Sequence, residues 1–261
     1  MRSVLLNRRM VGFHLLVLVL IPAFIWLGFW QYGRFEARLA YVERVEANMA
    51  APALDVSELS APGEPVPDPL RWHRVSATGR YDQARELYVR NRSVDSGPGM
   101  FVITPLVTAD GTAVWVNRGW VANPAVATAS PEVPPVPEGE VTVVGRLDRS
   151  ETEAETGIRD RGGVPEGQVM LIDVPSLAEG LPYPSYGGYV TLIEQTPAET
   201  VLEPVPPPSA NYGLNIAYAV QWWLFAVIAV VGWVFMVRRE LAEHRAAAAA
   251  GPPPAARVGT P

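Results

Sequence analysis

Two long apolar stretches lie near the ends of the chain, at residues 11–32 and 214–237. Each is long enough to cross the hydrocarbon core of a bilayer, which takes about 20 apolar residues in a helix. Trp26, Trp30 and Tyr32 crowd the end of the first stretch, and aromatic rings favour the level of the lipid headgroups. The pattern therefore predicts two transmembrane helices, with the lipid bilayer as a partner.

A cleaved signal peptide is the alternative interpretation of the first stretch, with Arg2, Arg8 and Arg9 as its basic start. A signal peptide has a shorter apolar run of about 7–15 residues, followed by a cleavage site of small residues. The sequence FWQYGRF at the end of the stretch offers no such site. A retained helix is therefore favoured.

Arginines flank both stretches on the sides away from the middle of the chain. Arg8 and Arg9 precede the first stretch, and Arg238 and Arg239 follow the second. Because cytoplasmic segments carry an excess of positive charge, we expect both termini in the cytoplasm and the middle outside it. This is the topology of a multi-pass protein of a bacterial cell membrane.

Between the two stretches the hydrophobic period changes. Residues 34–50 keep a helical spacing of apolar positions, whereas residues 61–69 hold four prolines and a glycine, which is typical of a linker or an exposed loop. From residue 70 onward, short β-branched and aromatic runs alternate with turn signals, which predicts an antiparallel sheet or barrel. The predicted strands are residues 72–81, 86–92, 100–107, 113–121, 141–147, 169–174 and 188–194.

The predicted fold is that of a membrane protein in which two transmembrane helices flank a mainly antiparallel β extracytoplasmic domain, an α+β arrangement. Its predicted segments are a cytoplasmic N-terminus (1–10), a transmembrane helix (11–32), a juxtamembrane helix with a Pro-rich linker (33–69), the β-rich domain (70–213), a second transmembrane helix (214–237) and a disordered cytoplasmic tail (238–261).

The composition excludes most kinds of active site. Cysteine is absent and the three histidines, His14, His73 and His244, lie far apart, so thiolate chemistry and clustered metal ligands lack their residues. His73 is the one histidine of the middle region, and we expect a surface or half-buried side chain rather than a general base. A net charge of −6 and a pI of about 5.2, without a basic stripe, exclude nucleic acid as a partner.

Six short motifs in a fixed order distinguish the chain. They are LGFWQYGRFEAR (27–38), RVSATGRY (74–81), LYVRNRSVDSGPGMFVITPL (87–106), WVNRGWV (115–121), VMLIDVPSL (169–177) and YAVQWW (218–223). In this order, and between two apolar stretches, they resemble the surfeit locus protein 1 family of cytochrome c oxidase assembly proteins. The resemblance covers about residues 27–239.

The resemblance implies a non-catalytic role in the biogenesis of a haem–copper cytochrome c oxidase. Members of this family assist the delivery of haem a to oxidase subunit I or its insertion there. The implied partners are subunit I and other oxidase assembly factors, and haem a is the implied, transiently held cofactor.

The family motifs also carry the candidate haem-contacting residues. They lie in a GxWQxxR motif, an NRGW motif and the second apolar stretch, and they are Trp30, Gln31, Arg34, Arg118, Trp120, Asn215, Tyr218 and Trp222. Asn215 stands where bacterial relatives often carry a haem-linked histidine, and an amide is not among the usual ligands of haem iron. Tyr218 is the alternative ligand, one helical turn away.

The residues themselves allow two interpretations of these candidates. The three candidates of the second stretch share one helix face, because they are spaced i, i+3, i+7, and Arg34 or Arg118 can pair with a haem propionate. The alternative is structural: the aromatic rings anchor the helices at the membrane interface, and the NRGW motif ends a strand whose arginine pairs internally, with Gly119 allowing the turn.

Two further functions stay open at this point. A small-molecule binding or sensory module, anchored by the two helices outside the cytoplasm, predicts a ligand pocket within residues 70–194. A membrane-tethered enzyme is less favoured, because the sequence offers no paired nucleophile and base.

Overall fold

The computed structural model describes residues 8–126, 128–159, 162–198, 202–207 and 213–250. The chain forms two compact units. The helical unit comprises Met1–Tyr41 and Ala210–Pro261, and the sheet unit comprises Val42–Ser209.

Two long helices carry the apolar stretches: α1 is Arg8–Ala50, and α5, the last helix of the described residues, is Gly213–Ala250. Both are long and apolar enough to cross a membrane, and only 11% and 6% of their most apolar windows are buried. A helix in the core of a soluble protein has its apolar side chains covered, so the exposed apolar surface indicates membrane anchoring. The helix predicted at residues 34–50 is confirmed as a continuation of α1.

Helix α5 continues past residue 238, where the sequence predicts a disordered tail. The additional residues include a run of alanines, which have the highest helix propensity, and Arg239 pairs with Glu243 one turn later, Nε to Oε1 at 2.7 Å. These local preferences extend the helix to Ala250. Residues 251–261 of the predicted tail, and residues 1–7 of the predicted cytoplasmic N-terminus, lie outside the described residues.

The described residues of the sheet unit form eight strands and three short helices. The strands are β1 (Leu54–Asp55), β2 (Arg74–Tyr81), β3 (Leu87–Val94), β4 (Gly97–Thr108), β5 (Ala113–Ala122), β6 (Val141–Arg149), β7 (Gln168–Val169) and β8 (Ser185–Thr196). The helices are α2 (Val56–Leu59), α3 (Glu153–Thr156) and α4 (Val174–Ala178). Two 3₁₀ turns, Asp68–Leu70 and Gln83–Arg85, precede β2 and β3.

The strands form one sheet in the order β1-β2-β6-β8-β5-β4-β3-β7, and a further pairing of β2 with β4 closes five of them into a ring. The sheet is mainly antiparallel, as the sequence predicts. However, the pairs β1–β2, β3–β7 and β5–β8 run parallel. Parallel pairs join segments that are distant in the chain, and the alternation within a strand does not reveal its partner.

Strand β5 is buried on both faces, which places it at the centre of the sheet unit. Val114 and Val116 belong to the larger core cluster, together with residues of β2, β6 and β8. Trp115, which points to the other face, packs with Tyr189 and with Ile172 in a second cluster. Burial on both faces explains why this strand is apolar almost throughout rather than alternating.

Two segments differ from their predicted structure. Residues 169–174 are predicted as a strand, but only Gln168–Val169 pairs with β3, and α4 begins at Val174 with Pro175 at its start, a position that favours proline. The proline-rich segment at 61–69 is mostly exposed, as predicted, but Val66 within it is buried and joins the larger core cluster. In each segment, apolar side chains such as Ile172 and Val66 are buried without long strand pairing.

Candidate functional site

In the helical unit, α1 and α5 pack closely at Gly28. A Cβ atom on Gly28 would overlap the indole of Trp223, so the missing side chain allows this close approach. Trp222, one of the predicted site residues, stacks on Phe24 with ring centroids 5.7 Å apart and an angle of 29°. One face of the Trp222 ring is therefore used for helix packing.

Three predicted residues of the helical unit are accessible. Trp30 is 45% exposed and Tyr218 is 48% exposed. The guanidinium carbon of Arg34 lies 5.2 Å from the centroid of the Trp30 ring, which is a cation–π contact. Among the described residues, no carboxylate lies within ion-pair distance of Arg34. This surface thus offers an aromatic ring next to an unneutralised cation.

Gln31 and Asn215 are half-buried polar residues of the two helices. The side-chain oxygen of Gln31 is buried and has no hydrogen-bond partner among the described residues. A buried oxygen without a donor costs about 1–3 kcal/mol, and a donor from a bound molecule or from another helix would remove that cost. The three predicted α5 residues, Asn215, Tyr218 and Trp222, lie on one continuous helix, as their spacing requires.

In the sheet unit, Arg118 occupies a β-bulge in β5, which is one of the five strands of the closed ring. Asn117 pairs with Ile103 and Gly119 pairs with Val102, so Arg118 is an extra residue on β5. A bulge redirects the side chain that it contains. Here the Arg118 side chain has no exposed surface at all. The NRGW motif therefore lies within a long strand and not at a strand end.

The buried Arg118 guanidinium forms an ion pair with the Glu86 carboxylate. The same carboxylate accepts hydrogen bonds from Thr104 Oγ1 and from the Tyr88 hydroxyl, each at 3.0 Å. The ring of Tyr81 lies 5.7 Å from the guanidinium carbon. Arg118 is thus neutralised inside the sheet unit, and a haem propionate could pair with it only by displacing Glu86.

Burial dominates the electrostatics of this cluster. It lowers the pKa of Arg118, although Glu86 opposes the shift, and it raises the pKa of Tyr81 above the usual range of tyrosine. Burial, and then the Glu86 carboxylate, raise the pKa of Tyr88 to about 12. The cluster therefore holds protonated tyrosines around one internal ion pair at neutral pH.

Gly119 and Trp120 hold a later segment of the chain against β5. Gly119 has φ of +151°, and a Cβ atom there would lie 2.6 Å from the Cβ of Leu202 and 2.9 Å from the carbonyl oxygen of Glu203. Trp120 and Glu203 exchange two backbone hydrogen bonds, with N–O distances of 2.8 and 3.1 Å. We call residues 202–206 the clamped segment.

Other arginines of the sheet unit are also internal. Arg146 is buried and donates to the carbonyls of Val205 and Pro206 in the clamped segment, at 2.8 and 3.4 Å. Arg92 pairs with Glu151 through two nitrogens at 3.0 and 2.6 Å, and its carbonyl accepts a hydrogen bond from the Trp120 indole at 3.1 Å. Arg92 and Arg146 therefore stabilise the fold.

A cavity of about 270 Å³ adjoins the clamped segment. Its walls include Leu192, Ile193 and Leu202, and Arg118 also lines it. The guanidinium of Arg118 is occupied by Glu86, so it offers no free charge to this cavity. His73 is half-buried, as the sequence predicts, and its Nδ1 lies 3.1 Å from the carbonyl oxygen of Leu70.

Sequence reasoning missed the partners of the motif residues. Glu86 lies 32 residues before Arg118, and Glu151 lies 59 residues after Arg92. Trp223 follows Trp222 directly in the quoted YAVQWW motif, and its role against Gly28 could have been found from the pairing of a bulky residue with a glycine. No local pattern signals the two ion pairs, because their partners meet only in the folded sheet.

Comparison with known proteins places these motifs in a family. The chain is 28% identical over 255 residues to uncharacterized SURF1-like proteins of Mycobacterium bovis and Mycobacterium tuberculosis, covering 93% of this chain and 90% of theirs. A SURF1-like protein of Rickettsia felis is 31% identical over 112 residues, 42% of this chain and 46% of its own. The family model described as SURF1 family matches residues 18–227. The chain belongs to the SURF1 family.

Proposed function

We propose that this protein is a non-catalytic assembly factor for a haem–copper cytochrome c oxidase. In this role it assists the delivery of haem a to subunit I, with subunit I and other assembly factors as its partners. Membership of the SURF1 family, which is known for oxidase assembly, supports the general role. Haem a is the cargo in this proposal, held transiently and passed on.

The single observation that carries the haem-handling part is the exposed pair of Trp30 and Arg34 in the helical unit. A haem is a flat apolar ring with carboxylates at one edge. An aromatic ring offers it an apolar surface, and a guanidinium matches the geometry of a carboxylate. Arg34 has no carboxylate partner among the described residues, so its charge is available, whereas that of Arg118 is not.

We propose no histidine ligand for the haem iron. Asn215 occupies the position where bacterial relatives often carry a haem-linked histidine. Its amide is not a usual ligand of haem iron, whereas a tyrosine phenolate is. Tyr218 is 48% exposed on the same helix face. In this proposal Tyr218 is the side chain available to the iron, and Gln31 and Trp222 border the same helix pair.

The membrane topology is also part of the proposal. The arginines that precede the apolar stretch of α1 and those that follow the apolar stretch of α5 favour the cytoplasm. Both termini then face the cytoplasm of a bacterial cell, and the sheet unit lies on the other side of the membrane. Arg34 would lie just beyond the outer boundary of the hydrocarbon core.

A deletion strain tests the proposed function. A reduced-minus-oxidised spectrum of its membranes should lose the haem a band, and the intact gene should restore it. Trp30→Ala, expressed at the parent level, should restore the band poorly. Trp26→Ala is the matched control, because Trp26 is a similarly exposed tryptophan (64%) one turn earlier in α1.

An unchanged haem a band in the deletion strain, with normal oxidase turnover and no second copy of the family in the genome, would contradict the assembly role. Full restoration by the Trp30→Ala variant would leave the assembly role standing and remove Trp30 from the haem-contacting surface.

A further inference from the structure

One polar side chain of the helical unit has no part in the proposed function. His14 is the first titratable residue of the apolar stretch 11–32, and Tyr32 at the far end is the next. A polar side chain is costly within a stretch that crosses a membrane, so its presence there needs a reason. Its surroundings in the structure supply two observations.

The first observation is a hydrogen bond between the two helices. The indole nitrogen of Trp233 on α5 donates to Nδ1 of His14 at 2.9 Å. A ring nitrogen that accepts a hydrogen bond carries no proton, so the proton of this neutral imidazole is on Nε2. Among the described residues, that Nε2–H group has no hydrogen-bond acceptor. His14 thus presents one unused N–H donor.

The second observation is an open groove of about 510 Å³ on the helix pair, bordered by His14. Its other walls are apolar side chains of α1, among them Leu15 and Leu18, together with Pro22 and the flat indole of Trp233. The imidazole and indole planes meet at 74°, with centroids 6.1 Å apart. A donor thus lies next to a flat aromatic wall in otherwise apolar surroundings.

We propose that this groove binds a neutral, lipid-soluble ring that carries a carbonyl group, a molecule of the quinone class. The ring carbonyl accepts the hydrogen bond from Nε2–H of His14, and the ring lies against the Trp233 indole. A charged ligand does not fit, because the walls offer no counter-charge. A flat ring fits better than a flexible acyl chain, because a wall of the groove is itself a flat aromatic surface.

The same tautomer excludes His14 as a ligand of haem iron while the Trp233 bond persists. Both imidazole nitrogens are then occupied, Nδ1 by the indole N–H and Nε2 by its own proton, and an iron ligand needs a free nitrogen lone pair. The groove is therefore separate from haem handling, and this inference does not rest on the assembly role.

Nitrogen NMR of the full-length protein tests the proposal directly. The protein is labelled with ¹⁵N-histidine and placed in bilayers of ether-linked phospholipid, which has no ester carbonyl. The probe is decylubiquinone. We expect the Nε2–H signal of His14, assigned by its loss in His14→Leu, to shift and to saturate as the quinone is added. His73 and His244 serve as internal controls and should not shift.

A binding measurement complements the NMR. Quenching of tryptophan fluorescence by decylubiquinone should reach half-saturation at about tenfold higher concentration in His14→Leu, the expected effect of one lost hydrogen bond. Val19→Leu, a change at an exposed position outside the groove lining, should leave the half-saturating concentration unchanged.

Three results would overturn the proposal. An Nε2 signal without a bound proton would show that the tautomer is different. A His14 signal that quinone does not shift would show that the groove does not bind such a ring. A shift that appears on changing to ester-linked lipid, in the absence of quinone, would show that the donor serves a phospholipid ester instead.

Discussion

The arginines of the family motifs differ in burial and in ion pairing between the two units of this protein. In the sheet unit, Arg118 is fully buried and neutralised by Glu86, and Arg92 is paired with Glu151. In the helical unit, Arg34 lies over the exposed ring of Trp30 without a carboxylate partner among the described residues. The motif arginines of the sheet unit are therefore used inside the fold, whereas Arg34 of the helical unit is accessible.

Burial explains the difference. A buried guanidinium requires a counter-charge and hydrogen-bond acceptors from the protein itself, whereas an exposed one is solvated and needs neither. Removing a single charge should therefore have a large effect on stability in the sheet unit and a small effect in the helical unit. The four expectations that follow test this comparison, from the largest effect to the smallest.

Replacing Arg118 alone should be the most damaging change. Arg118→Met leaves the Glu86 carboxylate buried without its cation, and the free energy of unfolding should fall by about 3–5 kcal/mol. Urea unfolding of the full-length protein in detergent, followed by tryptophan fluorescence, measures this loss. The double variant Arg118→Met, Glu86→Gln should recover most of it, because no charge is then left unpaired and the amide oxygen still accepts from Thr104. If the double variant is as unstable as the single one, the ion pair is not the cause.

Gly119→Ala should cause the second-largest loss of stability. The added Cβ atom would press against Leu202 and Glu203, and such overpacking costs about 1–3 kcal/mol beyond the strain of a positive φ. Gly139→Ala is the matched control, since Gly139 also has a positive φ, of +86°, but its Cβ would meet open space. The same unfolding measurement compares the two. Equal losses would show that the contact with the clamped segment adds nothing to stability.

Alkaline pH should lower the stability of the sheet unit through its half-buried Tyr88. The pKa of Tyr88 is raised to about 12, so at pH values between 10.0 and that value the folded state keeps a proton that the unfolded state releases. Stability should therefore fall as the pH rises through this window. Tyr88→Phe removes this contribution, and its unfolding midpoint should depend less on pH between about pH 10 and about pH 12. If the unfolding midpoint depends on pH identically in parent and variant, Tyr88 does not contribute to the loss of stability at alkaline pH.

Trp30→Ala should have the smallest effect on stability, within about 0.5 kcal/mol, because nearly half of its side chain is exposed and its loss leaves no buried group unpaired. Differential scanning fluorimetry of the purified protein measures this change. A loss of several kcal/mol would show that Trp30 supports the fold, and the contrast between the two units would then disappear.

The sequence predicts the strands well where side chains alternate or where both faces are buried. Strand β5, for example, begins at Ala113 as predicted and ends one residue later than predicted, at Ala122. The buried residues Ile172 and Val174 are apolar without being part of a strand, because burial and strand pairing are separate properties. The parallel pairing of β5 with β8 follows from chain topology, which no local pattern contains.

The candidate site is predicted less completely than the fold. The order of the motifs in the chain is enough to select the candidate residues of the helices. Three of them, Trp30, Arg34 and Tyr218, are exposed in the structure. The role of Arg118 could not be predicted from the sequence. The same four letters, NRGW, allow a binding arginine or an internal one, and the decision depends on Glu86, which is distant in the sequence.

The most direct test of the account compares two variants at equal abundance in membranes of the deletion strain. One is the double variant Arg118→Met, Glu86→Gln, and the other is Trp30→Ala. We expect the haem a band of the oxidase to be close to the parent level with the double variant and strongly reduced with Trp30→Ala. A double variant that is folded and abundant but yields no haem a band, beside a fully active Trp30→Ala, would contradict the account.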